Sequence, residues 1–198
     1  MPEKIHINLD IFRKKTVEDF TGALAAADGK PEIGSAAASV GAYAAAMLEK
    51  AISLTAVSEE NSSEREYLLR NAGILRNYML NLIDEDVKCR GPLKKATSEN
   101  RPKDEFNACL YPASAIVDEI MSMMETCADL LLRAKAISDE NGYKYINSSA
   151  DMAQCAWKCA AEYKLYIASL SGEETFRYVS VRETEIRKPE LEAKLSAL

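Results

Sequence analysis

A chain of 198 residues in which 47% are hydrophobic can bury a sizeable core and suits one domain, residues 1–198. Its 8 glycines and 6 prolines are few turn signals for this length, which favours long helices over many short strands. A formal net charge of −6 with no dense basic run argues against nucleic acid, and the longest uncharged run, Ile33 to Leu48, is too short and too alanine-rich for a bilayer. Met1 to Lys15 mixes charges with short apolar pairs, unlike a signal peptide, so a cytoplasmic location is expected. The five cysteines, at 89, 109, 127, 155 and 159, form no close CxxC pair, and His6 is the only histidine. Reduced thiols and no metal site are expected.

In chain order, Thr16-Val17-Glu18-Asp19 reads as an N-cap followed by acidic residues in a first helical turn. Phe20, Leu24 and Ala27 share a face, and Asp28-Gly29-Lys30-Pro31 closes that helix with Gly29 just past its end. A second helix is predicted from about Gly34-Ser35 to Ser58. Its first half is almost all Ala, Gly and Ser, so neighbouring helices can approach it on several sides. It is the expected central helix. Ser63 is the expected cap of a third helix, which carries the stripe Leu68, Leu69, Ala72, Leu75, Met79, Leu82 and Ile83 and ends near Cys89.

Arg90 to Lys103 reads as the main irregular segment, with Arg90, Lys94, Lys95, Arg101 and Lys103 set against the single acid Glu99. Such a reversal of charge is either a solvated loop or an anion-binding one. A fourth helix is predicted from about Asp104 to Ser138, kinked or broken at Pro112, with Met121, Met123 and Met124 as core filler. Asp139 to Gly142 reads as a turn, after which Asn147 or Ser148 caps a fifth helix that contains a core or interface Trp157. Gly172 to Lys188 is ambiguous, because Thr175 to Val181 alternates as a strand would, and Pro189 to Leu198 reads as a short helix. Residues 171–198 are a C-terminal tail or arm. The fold class is all-α, a bundle of about five main helices around the alanine-rich one.

The order of landmarks resembles the cyclodeaminase/cyclohydrolase family. These are Thr16 to Leu24, then Pro31-Glu32-Ile33-Gly34-Ser35 opening the alanine-rich helix, Leu82-Ile83-Asp84-Glu85-Asp86, Arg101-Pro102-Lys103, and Pro112 early in the fourth helix. The resemblance implies an all-helical homodimer with active sites near the subunit interface. It also implies a tetrahydrofolate derivative as the small-molecule substrate and no separate cofactor. The chain departs from the family pattern in three places. Glu32 and Ile33 stand where the family has glycines, Arg90 stands where an aromatic is usual, and Ile146-Asn147-Ser148-Ser149-Ala150 lacks an aspartate. Either the substrate differs or turnover is lost.

Hydrolysis of methenyltetrahydrofolate and cyclodeamination of formiminotetrahydrofolate both pass through a tetrahedral carbon between two nitrogens. Both need proton transfers and no metal. Asp86, ionised beside the basic segment, and Lys103 are the candidate catalytic residues. Gly34, Ser35, Arg90, Lys94, Lys95, Arg101, Asn147 and Ser148 are the candidate substrate contacts. Ser35, Asn147 and Ser148 could equally be helix caps. Three readings follow: a folate cyclohydrolase or cyclodeaminase, a binding or interaction protein on the same scaffold, or a purely structural bundle.

Overall fold

The computed structural model describes residues 11–27 and 30–198. Gly29 and His6 lie outside them. A short 3-10 turn, Phe12–Lys14, precedes six helices: α1 Val17–Ala25, α2 Ile33–Leu54, α3 Ser62–Ser98, α4 Lys103–Ile137, α5 Glu140–Ser169 and α6 Glu174–Ser196. No strand occurs among the described residues, so the all-α expectation holds.

The alanine-rich helix is the centre of the bundle. α2 packs most extensively on α5, then on α3 and α4. Ala38, Ala44, Ala45, Leu48, Ala51 and Ile52 are fully enclosed. Small side chains let the α5 backbone come close, and the buried Ser149 hydroxyl of α5 donates to the Ala44 carbonyl of α2 at 2.7 Å. Thr16 caps α1, its side chain accepting from the Asp19 amide at 3.1 Å. Trp157 and the methionines Met121 and Met124 are buried as expected.

Several boundaries differ from the sequence reading. α3 does not stop at Cys89 but runs through Pro92 to Ser98, so Arg90, Lys94 and Lys95 lie on a helix. The proline removes only the bond to the carbonyl of Lys88, an exposed residue, which water can satisfy. The buried stripe continues as Leu82, Ile83, Asp86, Arg90, Leu93 and Ala96. α4 likewise runs unbroken through Pro112. α2 begins at Ile33 with Glu32 in the cap position, which puts Ser35 inside the first turn rather than at the cap. Asn61, not Ser63, precedes α3.

The fifth helix starts seven residues before the earliest expected cap. Asp139 caps it, its carboxylate accepting from the Asn141 and Gly142 amides at 2.9 and 3.2 Å. Asn147 and Ser148 are therefore mid-helix and cap nothing. From Glu174 on, the ambiguous segment is helical and continuous with Pro189 to Ser196 as α6, which lies against α5 and α4. Ser180, Thr184 and Leu191 face the bundle at helical spacing, while Tyr178, Val179 and Val181, the source of the apparent alternation, stay exposed.

Candidate functional site

The chemistry-bearing side chains gather where the start of α2 meets the middle of α3 and the last turns of α5. Two aspartates of the Leu82–Asp86 stretch act there as tertiary clamps. Asp84 accepts from the Phe12 and Arg13 amides at 2.7 and 3.3 Å and so fastens the 3-10 turn. Asp86 does the same for α2. Its Oδ2 accepts from the Ser35 amide at 2.8 Å and from the Ser35 hydroxyl at 2.6 Å. Ser35 occupies the first turn of α2, where amides lack partners within the helix and a carboxylate is favoured.

Gly34 makes this contact possible. A Cβ at Gly34 would stand 2.2 Å from Asp86 Oδ1 and 2.6 Å from its Cγ. Asp86 is only 2% exposed. Burial raises its proton affinity above the ordinary aspartate value, and the charge of Glu32 adds to this, while the Ser35 bonds and Arg90 oppose it. The expected effect of neighbouring lysines, to favour the ionised form, is thus reversed. Lys94 spends its charge on Glu32 and Lys95 lies on the surface, so desolvation decides.

Glu32, immediately before α2, makes no capping bond of its own. Its side chain turns to α3 and α5 instead. Arg90 Nε and the Tyr163 hydroxyl each donate to Oε2 at 2.7 Å, and Lys94 Nζ pairs with Oε1. Burial works to raise the Glu32 proton affinity, but the bonds from Lys94, Arg90 and Tyr163 together hold it below the ordinary glutamate value. The Arg90 guanidinium lies over the rings of Tyr163 and Tyr166, 5.3 and 5.6 Å from their centroids. Those two rings are nearly parallel, with centroids 6.1 Å apart. Burial and the charge of Asp86 push the Tyr163 phenol well above its usual range, so it stays a hydrogen-bond donor.

Glu32, Arg90, Lys94, Tyr163 and Tyr166 line a cleft of about 420 Å³ whose apolar wall includes Leu24, Pro31 and Ile33. Asp86, Gly34 and Ser35 sit behind it, buried. Of the sequence-predicted residues, five therefore form one cluster here: Gly34, Ser35, Asp86, Arg90 and Lys94. The others do not join it. Arg101 and Lys103 line a separate hollow of about 400 Å³ beside Asn107 and Gly172, with no lining residue in common with the cleft. There Lys103 pairs with Glu173 at 3.2 Å and Arg101 with Glu99 at 2.8 Å. Lys95 reaches only Glu99, at 3.9 Å on the surface. Asn147 and Ser148 lie 16 and 15 residues before Tyr163 on α5, about 24 Å away along the helix axis. Sequence reading missed Tyr163 and Tyr166. Their i, i+3 spacing late in α5 was the available signal.

Among the described residues no group of three or more His, Cys, Asp or Glu could hold a metal ion, and no helix is long and apolar enough to cross a membrane.

Residues 16–167 match the family described as formiminotransferase-cyclodeaminase. In three dimensions the chain is similar to the crystal structure of a formiminotetrahydrofolate cyclodeaminase from Thermotoga maritima, with a TM-score of 0.86 and 19% sequence identity over 92% of this chain and 93% of that one. At that identity the likeness speaks for the fold alone. No protein of curated function matches the sequence.

Proposed function

This chain belongs to the formiminotransferase-cyclodeaminase family, and from that premise we propose that it performs folate one-carbon chemistry, opening or closing a C–N ring in the cleft between α2, α3 and α5. One observation carries the reading. A carboxylate of raised proton affinity, Asp86, is locked to the start of α2 directly behind a cleft walled by two stacked tyrosines and two cations.

The aminobenzoyl ring that carries a folate's glutamate tail is flat and suits the tyrosine faces, and the tail's carboxylate suits Arg90 and Lys94. Arg101 and Lys103, in the second hollow, suit further negative charge along such a tail. In the hydrolytic direction, water adds to the cationic methenyl carbon and gives up both its protons, one to solvent and one to the leaving nitrogen as the C–N bond breaks and the formyl C=O forms. In cyclodeamination, the arylamine nitrogen outside the pterin ring adds to the formimino carbon and gives up its proton, and the imino nitrogen, protonated, departs as ammonia. Asp86 is the group suited to hold that proton between steps, because burial keeps its neutral form accessible nearer neutral pH than an exposed aspartate allows. Neither direction calls for a cofactor. A homodimer is part of this reading, and sedimentation of the purified chain tests it.

The decisive assay supplies methenyltetrahydrofolate and formiminotetrahydrofolate separately, following methenyl absorbance in both and ammonia release in the second. The expected result is turnover of at least one, reduced at least about a hundredfold in a folded Asp86→Asn variant. Glu32 supports a second reading, a folate-binding protein without turnover, since its carboxylate already fills the cationic part of the cleft. Folates that raise the melting temperature without being consumed would select that reading. No turnover and no thermal shift would overturn both.

A further inference from the structure

Two side chains of opposite charge in this cleft, Glu32 and Arg90, are bonded to each other at 2.7 Å. They therefore hold one another across the junction of α2 and α3. Each of the two carboxylate oxygens of Glu32 takes a cationic donor, and the Tyr163 hydroxyl adds a third bond. Three donors converging from α3 and α5 on one carboxylate make a built carboxylate-binding position.

Glu32 does not balance that position. Two cations, Arg90 and Lys94, bond its single carboxylate. The Arg90 residue is 6% exposed, and its Nη1 has no hydrogen-bond partner. A buried guanidinium N–H without an acceptor points to an acceptor still to come. The tether to Glu32 is also short of other commitments: the residue sits in the cap position of α2, yet its side chain makes no bond to the helix.

We infer that Arg90, Lys94 and Tyr163 form a subsite for the carboxylate of a small-molecule ligand, and that Glu32 occupies it in the free chain as an internal competitor. The inference deepens the reading above and rests on the same cleft, though not on folate chemistry. An incoming carboxylate takes over the bonds to Arg90, Lys94 and Tyr163, and Glu32 swings out through the open side of the cleft. Glu32 thus sets the threshold of affinity an acidic ligand must exceed.

The test uses glutarate as the probe and glutaramide, of the same shape without charge, as its control. Both are titrated by calorimetry into the full chain and into Glu32→Gln and Glu32→Asp variants. Glutarate is expected to bind Glu32→Gln at least about tenfold tighter than the unaltered chain, with glutaramide unchanged. Glu32→Asp keeps the charge but withdraws it by one methylene, and a gain of a few-fold is expected there even if Glu32→Gln does not fold. Equal glutarate affinity in the unaltered chain and the folded variants would overturn the subsite, as would a gain shared by glutaramide. Folate turnover, measured in parallel, separates the two claims: turnover without a glutarate gain leaves the enzyme reading and removes the subsite, and the reverse pattern does the opposite.

Discussion

Five basic residues between positions 90 and 103 look alike in the sequence, yet the fold divides them into two regions with different physics. Arg90 and Lys94 are one helical turn apart and face α2 and α5, where Glu32 and the tyrosines meet them. Lys95, next to Lys94, is turned about 100° around the helix axis and reaches only a surface acid. Arg101 and Lys103 lie past the end of α3 or at the start of α4, each paired with an exposed or half-exposed acid. The lesson is that charge density along a sequence says little until a helix sorts it by face. Arg90, which is buried, must be held by specific partners, because an uncompensated charge there is costly. The exposed pairs are screened by water and contribute little.

The sharpest way to break this comparison is to remove one cation from each region. Arg90→Ala leaves Glu32 half-buried with fewer partners and empties the space over Tyr163. It should cost about 3 kcal/mol in denaturant unfolding. Arg101→Ala should leave the unfolding midpoint where it is. Equal effects would mean the two regions are not distinct.

A pair of glycines sharpens the same contrast. Gly34→Ala forces a methyl group against Asp86, which Ser35 holds in place, and should cost about 2–3 kcal/mol. Gly172, in the second hollow, has nothing within 4 Å of an added Cβ, so Gly172→Ala should be tolerated.

The smallest effect is in pH dependence. Bonding lowers the proton affinity of Glu32 in the fold below the ordinary glutamate value of 4.5. Its contribution is therefore full above that value and fades as pH falls through the lower folded one. The gap in stability between the unaltered chain and Glu32→Gln should narrow on going from about pH 7 to about pH 3. A gap that stays constant would show that Glu32 is no better placed in the fold than in the unfolded chain.

Much of the architecture could be read before any coordinates. The alanine-rich run specified a central helix because small side chains leave room on all sides, and Thr16 announced α1 through its acidic first turn. The errors share a cause, which is that tertiary contacts replaced the expected local signal. α3 appeared to end at Cys89 because its buried stripe continues through Asp86 and Arg90, which are polar and break the apolar pattern. The start of α5 was hidden by Gly142, which looks like a turn residue but packs where an added Cβ would be 3.0 Å from the Ala51 carbonyl of α2.

At the site, the sequence pointed to Gly34, Ser35, Asp86, Arg90 and Lys94, and the fold brings them together. It also flagged Glu32 and Arg90 as separate departures. Their opposite charges were the sign that they compensate each other, but 58 residues separate them, and only the packing of α3 against α2 makes them neighbours.

The account rests on the cleft walled by Glu32, Arg90, Tyr163 and Tyr166 being where ligand chemistry takes place. A crystal structure of the chain soaked with 5-formyltetrahydrofolate, a stable folate, tests this most directly. The account expects the aminobenzoyl ring stacked on Tyr166 or Tyr163 and a ligand carboxylate on Arg90 with Glu32 displaced. An ordered folate elsewhere on the bundle, or an empty cleft at saturating ligand, would contradict it.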